Sequence, residues 1–113
     1  QLFFNSGDFL RFRDKCHARG IRQPMVAGIM PITNVGQVKR FTTLCGAKIP
    51  TGLNDALERV QENADAVVRL GIDHATQQCR DLLKEGVHGI HFYTLNRSHS
   101  TEEILRGLQG SIE

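Results

Sequence analysis

The run Gly89–Arg97 reads Gly-Ile-His-Phe-Tyr-Thr-Leu-Asn-Arg, and no other stretch of this 113-residue chain constrains the fold as much. Ile90, His91, Phe92, Tyr93 and Thr94 suit a pleated, well-buried surface, so the run predicts a strand ending in a polar, cationic tip. Helical patterns flank it on both sides, which makes it one rung of an alternating β/α chain. In such chains ligands meet the protein at the C-terminal ends of strands, and that is where Asn96 and Arg97 fall.

The rest of the chain repeats this alternation. Gln1–Phe4 reads as a strand, and Asn5, Ser6 and Gly7 supply turn and cap chemistry. Phe9, Leu10, Phe12, Arg13 and Cys16 follow helical spacing as far as Gly20. Met25–Met30 is a second strand, closed by Pro31, which cannot donate to a ladder. Thr33 or Asn34 can cap a helix in which Val35, Val38, Phe41 and Leu44 recur, ending near Gly46. Leu53, Ala56, Leu57 and Val60 make a short amphipathic helix, and a long one is expected from about Ala64 to Glu85. After the third strand, a short helix is expected near Thr101 to Leu108.

The order β-α-β-α-α-β-α implies parallel strands, because parallel neighbours need crossover connections of helix length. Three strands cannot close a barrel, and alone they would leave two unpaired edges. The expected fold is therefore α/β, the last three β/α units of a (β/α)8 TIM-type barrel, incomplete as given. A doubly wound nucleotide-binding domain is disfavoured, since no Gly-x-Gly-x-x-Gly follows any strand. Gln1 opens directly into Leu2-Phe3-Phe4 with no lead-in, so residues 1–113 read as the downstream part of a longer catalytic domain.

Composition excludes several function classes. A formal charge of +2, scattered along the chain, offers no basic stripe for nucleic acid, and one Tyr with no Trp leaves little to stack bases on. No apolar run approaches the roughly 18 residues that a membrane span needs. Cys16, Cys45 and Cys79 are odd in number and widely spaced, which suits small buried hydrophobes in a reducing compartment. A cytoplasmic protein is the expectation. His88 and His91 fall on opposite faces of a strand, so no metal centre is expected. Ser98, Ser100 and Thr101 read as helix-capping residues, with no Ser-His-acid set for a nucleophile.

Arg97 is the leading candidate for chemistry, since a guanidinium at a strand mouth is a rigid fork for carboxylate or phosphate. The alternative is a surface ion pair with Glu102 or Glu103. Gln1 and Gln37 carry amides that donate and accept at once, which suits the edge of a heterocycle. Composition favours a solvated Gln37, and Phe41, one turn on, reads as a core residue that could also stack on a flat ligand.

Several stretches together resemble the methylenetetrahydrofolate reductase family. They are Gln1-Leu2-Phe3-Phe4, Phe9–Arg13, Gly28-Ile29-Met30-Pro31-Ile32, Ile49-Pro50 and His91-Phe92-Tyr93-Thr94-Leu95-Asn96-Arg97, in that order along nearly the whole chain. The resemblance implies a flavin-dependent barrel that reduces 5,10-methylenetetrahydrofolate to 5-methyltetrahydrofolate with NAD(P)H through FAD. It implies folate contacts at Gln1, Gln37 and Arg97, an aromatic packing on folate or the nicotinamide nucleotide at Phe41, and pocket lining at Tyr93 and Leu95. It also implies a homo-oligomer at full length. No Asp or Glu here matches the family's acid, which is expected upstream together with most flavin contacts, so the 113 residues alone are expected to be inactive. The alternative is a non-catalytic binding or assembly module built as an incomplete barrel.

Overall fold

A computed structural model of the chain describes residues 2–112, and Gln1 and Glu113 lie outside the described residues. The elements are α1 (Ser6–Ala18), β1 (Val26–Ile29), α2 (Val35–Cys45), α3 (Thr51–Val60), α4 (Ala64–Lys84), β2 (Gly89–Phe92) and α5 (His99–Ile112). The architecture is α/β and mostly helical. β1 and β2 run parallel, with Val26 opposite Gly89 and Ile29 opposite Phe92. The connection between them carries α2, α3 and α4, the crossover that a parallel pair requires.

Asparagines start three of the helices. Asn5 accepts from the N–H of Gly7, Asn34 from that of Gln37 (2.9 Å) and Asn63 from that of Ala66 (3.1 Å). Each satisfies a donor that the first turn leaves without an intrahelical partner, worth about 1 kcal/mol apiece.

The helix α4 is the axis of the packing. Its Ile72, Ala75, Cys79 and Leu82 join Ala27 and Ile29 of β1, Phe3, Val87, and Ile104 and Leu108 of α5 in one buried cluster. Burial pushes the Cys79 thiol up to about 12, so it behaves as a small hydrophobe and stays protonated. Higher on α4, Val67 belongs to a second cluster with Phe4, Met30, Ile32, Val38 and Leu57. Gly71 sits between the two. A Cβ there would stand 1.9 Å from the carbonyl oxygen of Ile32, so only glycine lets α4 lie this close to the segment leaving β1.

The strand expected at the N-terminus is not formed by residues 2–4. A strand exists only when a neighbour completes its ladder, and among the described residues no strand lies beside this segment. Side chains of α4 serve its carbonyls instead. His74 Nε2 donates to Phe4 O (2.8 Å) and Gln78 Nε2 to Phe3 O (3.4 Å). Burial holds the His74 imidazole below its ordinary pKa, with its bond to Phe4 working in the opposite direction.

The other strands are shorter than the sequence predicts. β1 is trimmed by a residue at each end. β2 stops at Phe92 where a longer run to Arg97 was expected, because its ladder ends with Tyr93 N–H donating to Ile29 O (2.9 Å) and the neighbouring chain turns away at Pro31. α5 is longer than expected, beginning at His99 and continuing to Ile112.

Candidate functional site

The two faces of the sheet differ. Ala27, Ile29, Ile90 and Phe92 point into the helices, whereas Val26, Gly28, His91 and Tyr93 alternate onto the other face. The Tyr93 ring lies across Gly28, where a Cβ would come within 2.7 Å of Cε2, and it meets the His91 ring edge-on at 4.9 Å. Glycine in β1 thus makes room for an aromatic side chain at the mouth of the sheet.

A cleft of about 610 Å³ opens at this mouth, beyond the C-terminal ends of β1 and β2. Pro31, Thr33, Asn34 and Gln37 form one wall, from the segment after β1 and the first turn of α2. Tyr93, Thr94, Leu95 and Arg97 form the facing wall, with Val68 of α4 between them and the start of α5 (His99 to Thr101) closing one side.

The turn that delivers Arg97 has an unusual backbone. Leu95 and Asn96 have φ of 50° and 63°, and Arg97 N–H closes the turn on Thr94 O at 2.9 Å. Asparagine visits the left-handed region readily, but a leucine there costs about 1–2 kcal/mol. Such strain collects where a chain must aim particular side chains. Here it places Leu95, 53% exposed, and Arg97 on the rim of the cleft.

Among the described residues no carboxylate pairs with Arg97, and the alternative of a pair with Glu103 is closed because Glu103 holds Arg106. No Asp or Glu among the described residues lines the cleft. Its one permanent charge is therefore a guanidinium facing open space, the arrangement that receives a carboxylate or phosphate through two parallel hydrogen bonds. Beside it the Gln37 amide can both donate and accept, and Tyr93 presents a flat apolar surface with a hydroxyl at its tip. A flat heterocycle carrying an acidic tail matches this set.

The structure thus brings Gln37, Tyr93, Leu95 and Arg97 to one cleft. It does not bring Phe41 there: that ring, one turn further along α2 than Gln37, packs against the second core cluster and does not line the opening. Gln1 lies outside the described residues. Sequence reasoning missed Thr33, Asn34 and the α5 start as lining. Asn34 and Thr33 were legible as cap residues, and their position after a strand was the signal that they also border the mouth. Thr101 Oγ1 is buried with no hydrogen-bond partner among the described residues. Among those residues no group of three His, Cys, Asp or Glu is placed to hold a metal ion, and no helix is long and apolar enough to cross a membrane.

Comparison with known proteins bears on what this cleft belongs to. The sequence profile described as methylenetetrahydrofolate reductase matches residues 1–109. The chain belongs to the methylenetetrahydrofolate reductase family. It is 42% identical over 108 residues to methylenetetrahydrofolate reductase (NADH) 1 of Arabidopsis thaliana, covering 96% of this chain and 18% of the relative. It is 40% identical over 109 residues to the probable methylenetetrahydrofolate reductase (NADPH) of Caenorhabditis elegans, covering 96% and 16%. With 5,10-methylenetetrahydrofolate reductase of Escherichia coli strain K12 the identity is 33% over 108 residues, covering 96% and 36%. The chain thus spans between about a sixth and about a third of the length of these relatives.

Proposed function

We propose that this chain is the C-terminal portion of the catalytic domain of a methylenetetrahydrofolate reductase, supplying the last three β/α units of a (β/α)8 barrel. In that role it takes part in reducing 5,10-methylenetetrahydrofolate to 5-methyltetrahydrofolate with NADH or NADPH. The observation that carries the reading is the cleft at the strand mouths, where Gln37, Tyr93 and an unpaired Arg97 meet in a chain of this family. The open face of the sheet supports it too. Parallel sheets are covered on both faces, and Val26, Gly28, His91 and Tyr93 occupy the face that a barrel would turn inward.

Within this reading Arg97 holds the acidic tail of folate and Gln37 reads an edge of its ring system. Tyr93 and Leu95 exclude water from one side of the ligand. Gln1 contacts the pterin, and Phe41 packs on folate or the nicotinamide nucleotide. A flavin, FAD, takes the hydride from the nicotinamide nucleotide and gives it to folate. The described residues do not fit FAD on their own. The cleft has one guanidinium and no glycine-rich loop to seat a pyrophosphate, and no step through the flavin is assigned to this chain.

On this proposal the 113 residues alone neither hold FAD tightly nor turn over, and activity belongs to a longer protein, which we infer to be cytoplasmic and homo-oligomeric. The test is a chimera in which this chain replaces the matching 108 residues of the Escherichia coli relative. A chimera that reduces methylenetetrahydrofolate supports the reading. A folded, FAD-loaded chimera without that activity would leave the non-catalytic module in its place.

A further inference from the structure

We propose that His74 and Gln78 are positioning residues for the cleft: from one face of α4 they grip the backbone of Phe3 and Phe4, and through Phe4 they set the seat of α2 and Gln37. The two side chains are four residues apart on α4 and so project together. Their bonds to Phe4 O (2.8 Å) and Phe3 O (3.4 Å) reach across 70 and 75 residues of chain. They fall on a segment that no ladder holds, and a buried carbonyl without such a partner is costly.

The Phe4 side chain carries the grip onward. It is 1% exposed and packs with Met30, Ile32 and Val38, while Val35 and Phe41 of α2 flank the same cluster. Val38 follows Gln37 directly, so the first turn of α2 rests on the seat that Phe4 fills. Interiors packed this closely pass a displacement on rather than absorb it.

The grip depends on the protonation state of His74. A carbonyl only accepts, so Nε2 carries the hydrogen, while burial disfavours the charge that a second proton on Nδ1 would bring. The surroundings offer an imidazolium little. The cavity beside the ring is bordered by Asp81, Lys84 and Glu85 at the end of α4, while α1 contributes only uncharged groups such as Asn5 and Ser6. Asp81 already accepts from Gln77, and Asp73, next to His74 in sequence, is exposed. The charged ring could keep its Nε2–H bond, but burial penalises the charge more than that bond repays. The ring therefore turns out to water, which breaks its bond to Phe4 O and loosens the seat of Gln37.

The importance of Gln37 rests on the folate reading above, but the test needs no ligand, so the two can fail separately. The isotopically labelled 113-residue chain, in a His99→Gln background because His99 borders the same cleft, is titrated by NMR through the ordinary imidazole range near 6.5. The His74 ring nitrogens, the Phe4 carbonyl carbon and the Gln37 side-chain amide are followed together. The expected result is one shared midpoint below 6.5. His74→Gln, which keeps a donor but no titration, then abolishes the movement at Phe4 and Gln37, and His74→Leu leaves both displaced at every pH. A Gln37 amide that ignores the His74 midpoint overturns the proposal, as does movement at Phe4 and Gln37 that persists in His74→Gln. If His74→Leu does not fold, His74→Gln decides alone.

Discussion

The two faces of one short sheet are built to opposite rules. On the helix side Ala27 and Ile29 are fully buried, against Leu82 and Ile104, which are buried as completely. On the other side Val26 is 55% exposed, Tyr93 is 39% exposed, and the turn after β2 spends backbone strain to put Leu95 and Arg97 at an opening. The first face is where apolar area leaves water and stability is made. The second holds unpaired polar groups and a strained turn, which a stable module has no reason to keep unless a ligand or further structure meets them. Stability and recognition are thus separated by the two-residue alternation of a strand.

The sharpest way to break this comparison is to cut into the helix side. Leu82→Ala leaves a cavity beneath α4 and is expected to cost about 2–5 kcal/mol, read by urea unfolding. Gly71→Ala drives a methyl into the Ile32 carbonyl and is expected to cost about 1–3 kcal/mol, because backbone must move to admit it. A loss below half a kcal/mol at either position would mean that α4 is not the axis of the fold.

Acidification probes the seam between the two regions. His74 is held below its ordinary pKa, so its contribution is complete above about 6.5. The unfolded chain takes up the proton first as the pH falls, and stability drops from there until the lowered folded value is passed. Urea midpoints measured across that window are expected to fall with pH in the natural chain and to flatten in His74→Gln. A flat profile in the natural chain would contradict the burial of this imidazole.

Changes on the open face are expected to be gentle or favourable. Leu95→Asn places a residue that tolerates a left-handed backbone where leucine is strained, for a gain of about 0.5–1 kcal/mol. Arg97→Ala removes no ion pair and is expected to shift stability by less than about 0.5 kcal/mol. A large loss from Arg97→Ala would show that the guanidinium holds the fold together and would erase the distinction between the faces.

Much of the helical framework was legible from the sequence. The spacing of Ala66, Leu70, Ala75, Cys79 and Leu82 announces α4, and the apolar runs around Ala27 and Ile90 announce two parallel strands. The strand at residues 1–4 was not recoverable, because its composition is strand-like but a strand is a relation between two segments. The Leu95–Asn96 turn carries no glycine and so gives no signal, and β2 appears longer in sequence than its partner allows. Within the cleft, position after a strand made Arg97 and Gln37 candidates, while composition favoured a solvated Gln37 and only the family resemblance pointed to a role for it. Position could not separate Gln37 from Phe41, which lie four residues apart on one face of α2; Phe41, a turn further from the strand end, packs on the second core cluster instead. The grip of His74 and Gln78 on Phe4 and Phe3 was invisible, since nothing in a sequence links residues 70 or 75 positions apart through a carbonyl.

The most direct test of the proposal that the cleft binds folate is the affinity of the Escherichia coli chimera for 5-methyltetrahydrofolate, with Arg97 intact and as Arg97→Ala and Arg97→Lys. A charge-assisted pair is worth about 1.5–3 kcal/mol, so Arg97→Ala is expected to weaken binding by roughly 10- to 100-fold. Arg97→Lys is expected to recover only part of the loss, since an ammonium lacks the two-pronged geometry. Equal affinities for all three proteins, with FAD still bound, would contradict the account and place folate away from this cleft.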